Sequence, residues 1–150
     1  MSTVFALDEN GYKRGQGLLI LEDEKVYPVD ENGYKKGNGI LILDSDKIYG
    51  VDSQGYKRGN GKYLLESGMV FHVDEQGYKE GRGILMIEAD TVYHVDEQGY
   101  KRGRGVVTVD SGTVFDLDDQ GYKQGRGRLI VEGGYSQLEL VAILSRTGII

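Results

Sequence analysis

The sequence predicts an all-β fold: six tandem 22-residue antiparallel β-hairpin repeats forming an elongated, twisted sheet, with a short C-terminal helical or strand cap. Three observations lead there. The tripeptide GYK begins at Gly11, Gly33, Gly55, Gly77, Gly99 and Gly121, always 22 residues apart, so six copies tile residues 3–134 without insertion or deletion. Each copy holds two stretches rich in β-branched and aromatic residues, separated by an Asp-to-Gly turn. Residues 135–150 abandon the pattern and form the capping segment.

Within a copy the first strand reads Val26, Tyr27, Val29, Asp30, and the turn that follows is DENG, DSQG, DEQG or DDQG. Asp suits the first position of a type I turn, and Gly suits the fourth, where φ is often positive. The second strand opens on G-x-G, which fits a bulge or close backbone packing, and runs on as ILILD or GVVTVD into a second, tighter turn.

Alternation of side chains assigns the faces. Four columns form the expected core: the aromatic Phe5, Tyr27, Tyr49, Phe71, Tyr93, Phe115; the apolar Leu7, Val29, Val51, Val73, Val95, Leu117; and the second-strand columns beginning at Leu19 and Leu21. The opposite face carries the variable columns headed by Leu18 and Ala6, and the apolar Val4, Val26, Ile48, Val70, Val92, Val114. An open sheet leaves that second face partly apolar, to be covered by curling, by the C-terminal segment or by another subunit.

In the cap, Ser136 and Glu139 match a helix capping box and Gly148 suits the stop, with Leu138, Val141, Ala142 and Leu144 along one stripe. A final strand through LELVAIL competes with that helix.

The absence of Cys excludes disulfides and thiol chemistry, and the first residues lack the basic and apolar regions of a leader. The longest apolar stretches are too short to cross a bilayer as a helix. The expected location is cytoplasmic. A net charge of −6 argues against nucleic-acid binding by the whole surface.

The frame GYKRGRGVVTVDSGTVF (Gly99 to Phe115) resembles a MORN repeat, matching its spacing from Gly103 through Gly105 and Gly112 to Phe115. The resemblance covers all six copies and implies an elongated sheet of consecutive hairpins. The period is one residue short, and the aromatic is followed by x-Val-Asp or x-Leu-Asp instead of x-Gly-x-aromatic. A weaker likeness, through Y-x-V-D-x-x-G, is to YD repeats, which implies a closed β shell.

The chemistry-bearing residues also run in columns. Tyr12, Tyr34, Tyr56, Tyr78, Tyr100 and Tyr122 alternate with Lys13, Lys35, Lys57, Lys79, Lys101 and Lys123, and Arg102, Arg104 and Arg126 lie beside them. Such a basic, aromatic-interleaved stripe suits anionic lipid or nucleic acid. A solvated ladder, each Lys paired with a nearby Asp, is the competing reading. The Asp turns and the adjacent His72 and His94 supply too few ligands for a calcium or zinc site, and no catalytic triad is visible, so no metal, cofactor or enzymatic activity is expected. The expected function is a non-enzymatic scaffold presenting an extended surface to a protein partner or to itself, most simply as a homodimer. The alternative is an anionic-lipid or nucleic-acid module using the stripe.

Overall fold

The computed structural model describes all residues, Met1–Ile150. Twelve strands follow in chain order: β1 (Ser2–Leu7), β2 (Lys13–Glu22), β3 (Lys25–Pro28), β4 (Leu41–Asp44), β5 (Lys47–Val51), β6 (Lys57–Glu66), β7 (Met69–Val73), β8 (Lys79–Glu88), β9 (Thr91–Val95), β10 (Lys101–Asp110), β11 (Thr113–Leu117) and β12 (Lys123–Glu132). One helix, α1 (Gln137–Arg146), ends the chain's regular structure. The strands pair antiparallel with their sequence neighbours, and β1 also pairs with β12, Val4 opposite Val131. The sheet is therefore a closed twelve-stranded barrel, not the elongated open sheet expected from the hairpin pattern. Closure is the way a uniform, strongly twisted run of hairpins removes both edges.

The repeat's two turns build two different ends. At the short-turn end the hairpins are tight: Asp23 and Glu24, and Ala89 and Asp90, all have positive φ, the geometry of the two-residue turns that match strand twist. At the long-turn end each Asp anchors a loop. Gly11 N–H donates to the Asp8 carbonyl at 3.0 Å, and the Asp8 carboxylate accepts from the N–H groups of Asn10 and Tyr12, each at 2.9 Å. The same arrangement recurs at Asp30, Asp52, Asp74, Asp96 and Asp118, so turn chemistry alone accounts for this column.

The G-x-G stretch forms a wide bulge. Val4 opposes Leu19 while Ala6, two residues on, opposes Arg14, so several residues of β2 bulge out opposite Phe5. The second glycine of each pair has a positive φ, and in the last three repeats close packing also excludes a side chain: a Cβ at Gly105, whose φ is +114°, would lie 2.7 Å from Leu117 Cδ1 and 2.8 Å from Thr91 Cγ2. The second repeat loses this arm as regular strand. Pro28 accepts from Lys36 N–H at 3.0 Å but has no N–H to return, and β4 is four residues where the equivalent strands are ten.

Register, not apolarity, decides which face is inside. The tight turns place Leu21 opposite Val26 and Leu19 opposite Pro28, so the Val4 column shares its face with the Leu19 and Leu21 columns. Val4, Val26, Ile48, Val70, Val92 and Val114 are completely buried and line the lumen. The expected core is thus half right. The second-strand columns point inward, but the aromatic column and the column beginning at Leu7 lie on the outer wall, where they are half-buried.

Helix α1 fills the barrel. Its capping box forms as the sequence predicts, with Ser136 accepting from Glu139 N–H and Glu139 accepting from Ser136 N–H, and the helix is capped at Thr147, just before Gly148, φ +78°. The competing strand reading is overturned, and so is the single apolar stripe. Five consecutive residues, Leu140–Leu144, are buried, which covers every side of the helix, and they join the wall in one cluster of 21 residues. Eight strands enclose little more than their own side chains. Twelve leave room for one helix, about 10–12 Å across with its side chains. The features on which a dimer was expected are absent: both edges are paired, and the apolar second face is the inside of the barrel. No helix is long and apolar enough to cross a membrane.

Candidate functional site

The long-turn end gathers most of the exposed large apolar surface. Tyr12, Tyr34, Tyr56, Tyr78, Tyr100 and Tyr122 are each 69–71% exposed, one per repeat, directly after the anchored turn glycine. Equivalent residues lie two strands apart, about 9–10 Å. They form a ring around the barrel rim. The backbone of each tyrosine is fixed twice, its N–H to the turn Asp carboxylate and its carbonyl to that Asp's N–H, as in Tyr12 with Asp8.

The lysines expected to share a basic stripe with them are occupied otherwise. Each donates to an acid on the neighbouring repeat: Lys35 to Glu22, Lys57 to Asp44, Lys79 to Glu66, Lys101 to Glu88 and Lys123 to Asp110. Lys13 closes the ring to Glu132 at 2.9 Å, across the β1–β12 seam. Each ammonium also sits over the aromatic column, from Lys13 4.6 Å above Phe5 to Lys79 5.0 Å above Phe71. The acid hydrogen bonds hold Lys35, Lys57 and Lys101 above their ordinary range, and Lys57 and Lys123 hold Asp44 and Asp110 below theirs. This is a girdle of outer-wall ion pairs. Arg104 and Arg126 stand on the same outer wall, packed against the turn glycines Gly121 and Gly11 of the adjoining repeats. Arg102 does not join them: opposite His94, it faces the lumen side of the mouth.

Inside that mouth the repeats diverge. The column of Ala6, Pro28, Gly50, His72, His94 and Asp116 shares its face with the buried valines, and its partners across the arms are Arg14, Lys36, Arg58, Glu80, Arg102 and Gln124. The bulge re-aims the next column inward as well, so Ile40, Ile84 and Val106 pack on the core from the mouth side. Two halves result. In one, Tyr63, His72, Ile84 and His94 stand with Ile150 around a small cavity of about 180 Å³, Tyr63 and His72 stacked at 5.6 Å. In the other, the small Ala6 and Pro28 leave a cleft of about 670 Å³ with Leu18, Ile40 and Leu129 in its wall. Arg14, Arg128 and Arg146 reach this cleft, the last from the end of α1. Arg128 is held by Asp116 at 3.1 Å, whereas Arg14 and Arg146 make no ion pair. His72 and His94 gather no third metal-ligating side chain, and no group of three such residues exists in the chain.

Sequence reasoning found the tyrosine and lysine columns but joined them into one stripe; the barrel separates them into a rim and a girdle. It missed the cleft. The signal was present in the three columns where the repeats differ, which converge on one place.

No protein-family model and no curated protein matches the chain. Among solved structures the chain is similar to alternansucrase in complex with isomaltononaose, at 15% identity over 82% of this chain and with a TM-score of 0.18. The chain spans 12% of that enzyme's length, and a likeness of this kind carries no argument about fold or function.

Proposed function

We propose that the chain is a non-enzymatic scaffold that binds a protein partner through the six-tyrosine rim of its barrel. The observation that carries this reading is the ring itself: six large amphipathic rings, all about 70% exposed, on turns whose backbone is already immobilised. Tyrosine offers a large contact area at low entropy cost because only two side-chain torsions are frozen on binding. It also combines an apolar body with a hydroxyl that can hydrogen-bond. Pre-ordered turns lower the cost further. The lysine girdle contributes no free charge to such a surface, which favours a protein partner over a polyanion.

The test replaces Tyr34, Tyr56 and Tyr78 with Ser and compares the variant with wild type in quantitative affinity capture and cross-linking. These side chains leave the fold's interior untouched, so the circular dichroism spectrum and melting temperature should not change. Proteins retained by wild type should be lost from the variant, while a Lys57→Met variant keeps them. An identical set of captured proteins from wild type and the tyrosine variant would refute the rim as the binding surface.

A further inference from the structure

We infer that the open half of the mouth is a binding site for a small amphiphile with an anionic head, carboxylate or phosphate, and a short apolar body. This site is distinct from the tyrosine rim and lies inside it.

The argument begins with where the repeats are allowed to differ. Six positions are identical in every copy, the turn Asp and Gly, the rim Tyr, the girdle Lys and the two bulge glycines, and the aromatic under each Lys is always Phe or Tyr. The divergent columns face the lumen side of the mouth, and their divergence is sorted, not scattered. Large groups stand where Ile150 is packed, and small ones, Ala6 and Pro28, stand opposite, so the vacancy is built by the choice of residue in two adjoining repeats. A volume of about 670 Å³ lies in the range of small-molecule sites.

The cleft's chemistry is also sorted. Its wall is aliphatic, from Leu18, Leu19, Ile40 and Leu129, while guanidinium groups stand at its margin. Acids reach the margin too. However, the Asp8 carboxylate is already committed to two turn N–H groups, and Asp116 to Arg128. Glu9 is exposed at the rim, without an ion pair. Arg14 and Arg146 are the cations with no acid partner, and Arg is the side chain suited to planar or tetrahedral oxyanions. The surrounding mouth reinforces them, because Lys36, Arg58 and Arg102 occupy the same column as Arg14 against a single acid, Glu80.

The experiment is calorimetric titration of the full chain with decanoate and with decyl phosphate, both kept below their micelle concentrations. Decanol and decyltrimethylammonium serve as controls, and vesicles of anionic phospholipid are a separate arm. The expected result is saturable one-site binding of one or both anions, with the tighter of the two naming the head group. Decanol should bind at least about ten-fold more weakly, the worth of one charge-assisted hydrogen bond. Arg14→Gln with Arg146→Gln, both exposed positions, should weaken the anions by about ten-fold or more and leave decanol unchanged. Ala6→Leu should block all three. The triple tyrosine variant should bind the anions as wild type does, which keeps a failure here separate from a failure of the rim. The inference is overturned if neither anion saturates, if the cation binds as well as the anions, if the double arginine variant binds unchanged, or if only vesicles bind.

Discussion

The short-turn and long-turn ends of this barrel are written by the same 22 residues and turn out differently. At the short-turn end the strands are joined by two residues, and the capping box of α1 begins there beside Glu24, Leu43 and Leu65. At the long-turn end the strands continue past a bulge, the tyrosines stand out, and the lumen remains partly open between Ala6, Pro28 and Arg146. The tight turns fix register and with it the buried face. The anchored long turns fix only their own backbone, leaving side chains at the mouth free to vary. The wall and the tyrosine rim lie where the repeats agree, and the candidate cleft where they do not.

The largest effect in that comparison belongs to the helix. Ile143→Asp places a charge among completely buried side chains and should abolish cooperative unfolding, read by thermal melting; deletion of Tyr135–Ile150 should do the same and expose the apolar lumen to dye binding. A truncated barrel that melts like the full chain would mean that the wall is self-sufficient. The next effect separates the two faces of one strand. Ile48→Ala, in the lumen, should cost about 2–5 kcal/mol in chemical denaturation, the range for buried large-to-small changes. Tyr49→Ala, on the outer wall under Lys57, should cost about 1 kcal/mol, chiefly the lost cation–π contact and partial burial. Equal costs would mean that the strand is turned the other way.

The smallest effect is the girdle's. Asp44 and Asp110 are held below the usual carboxylate value of 3.8, so their contribution is present above that pH and is lost as pH falls through the lowered values. Lys35, Lys57 and Lys101 are held above 10.5, so theirs is present below that pH and is lost as pH rises through the raised values. Between these limits the melting temperature should be flat with respect to these pairs, and added salt should change it little because all are exposed. A strong salt dependence at neutral pH would promote the girdle from surface detail to structural element.

The hairpin count, the Asp turns, the glycine bulges and the capped helix were all legible in the sequence, because each rests on chemistry local to a few residues. Closure was not. It depends on accumulated twist and on Val4 meeting Val131 across nearly the whole chain, which no 22-residue window contains. The faces were misread for a related reason. Phe5 and its equivalents look like core residues by type, yet the two-residue turns count the register the other way, and the girdle lysines roof the aromatics outside. The candidate cleft was hidden because averaging down the columns emphasises agreement, whereas Ala6, Pro28 and Arg128 matter as exceptions.

Pairing of β1 with β12 also sets the order of events when the chain is made. Each hairpin can form from residues already at hand, and neighbouring hairpins can add to it as they emerge. The first strand cannot find its second partner until residues near Val131 have left the ribosome, with α1 still to come. Until then the growing product is an open sheet with a bare edge at Thr3–Ala6 and an unfilled apolar hollow, the kind of species that chaperones hold and that strays into aggregates. In a chain whose every unit is local, the last step of assembly has the highest contact order.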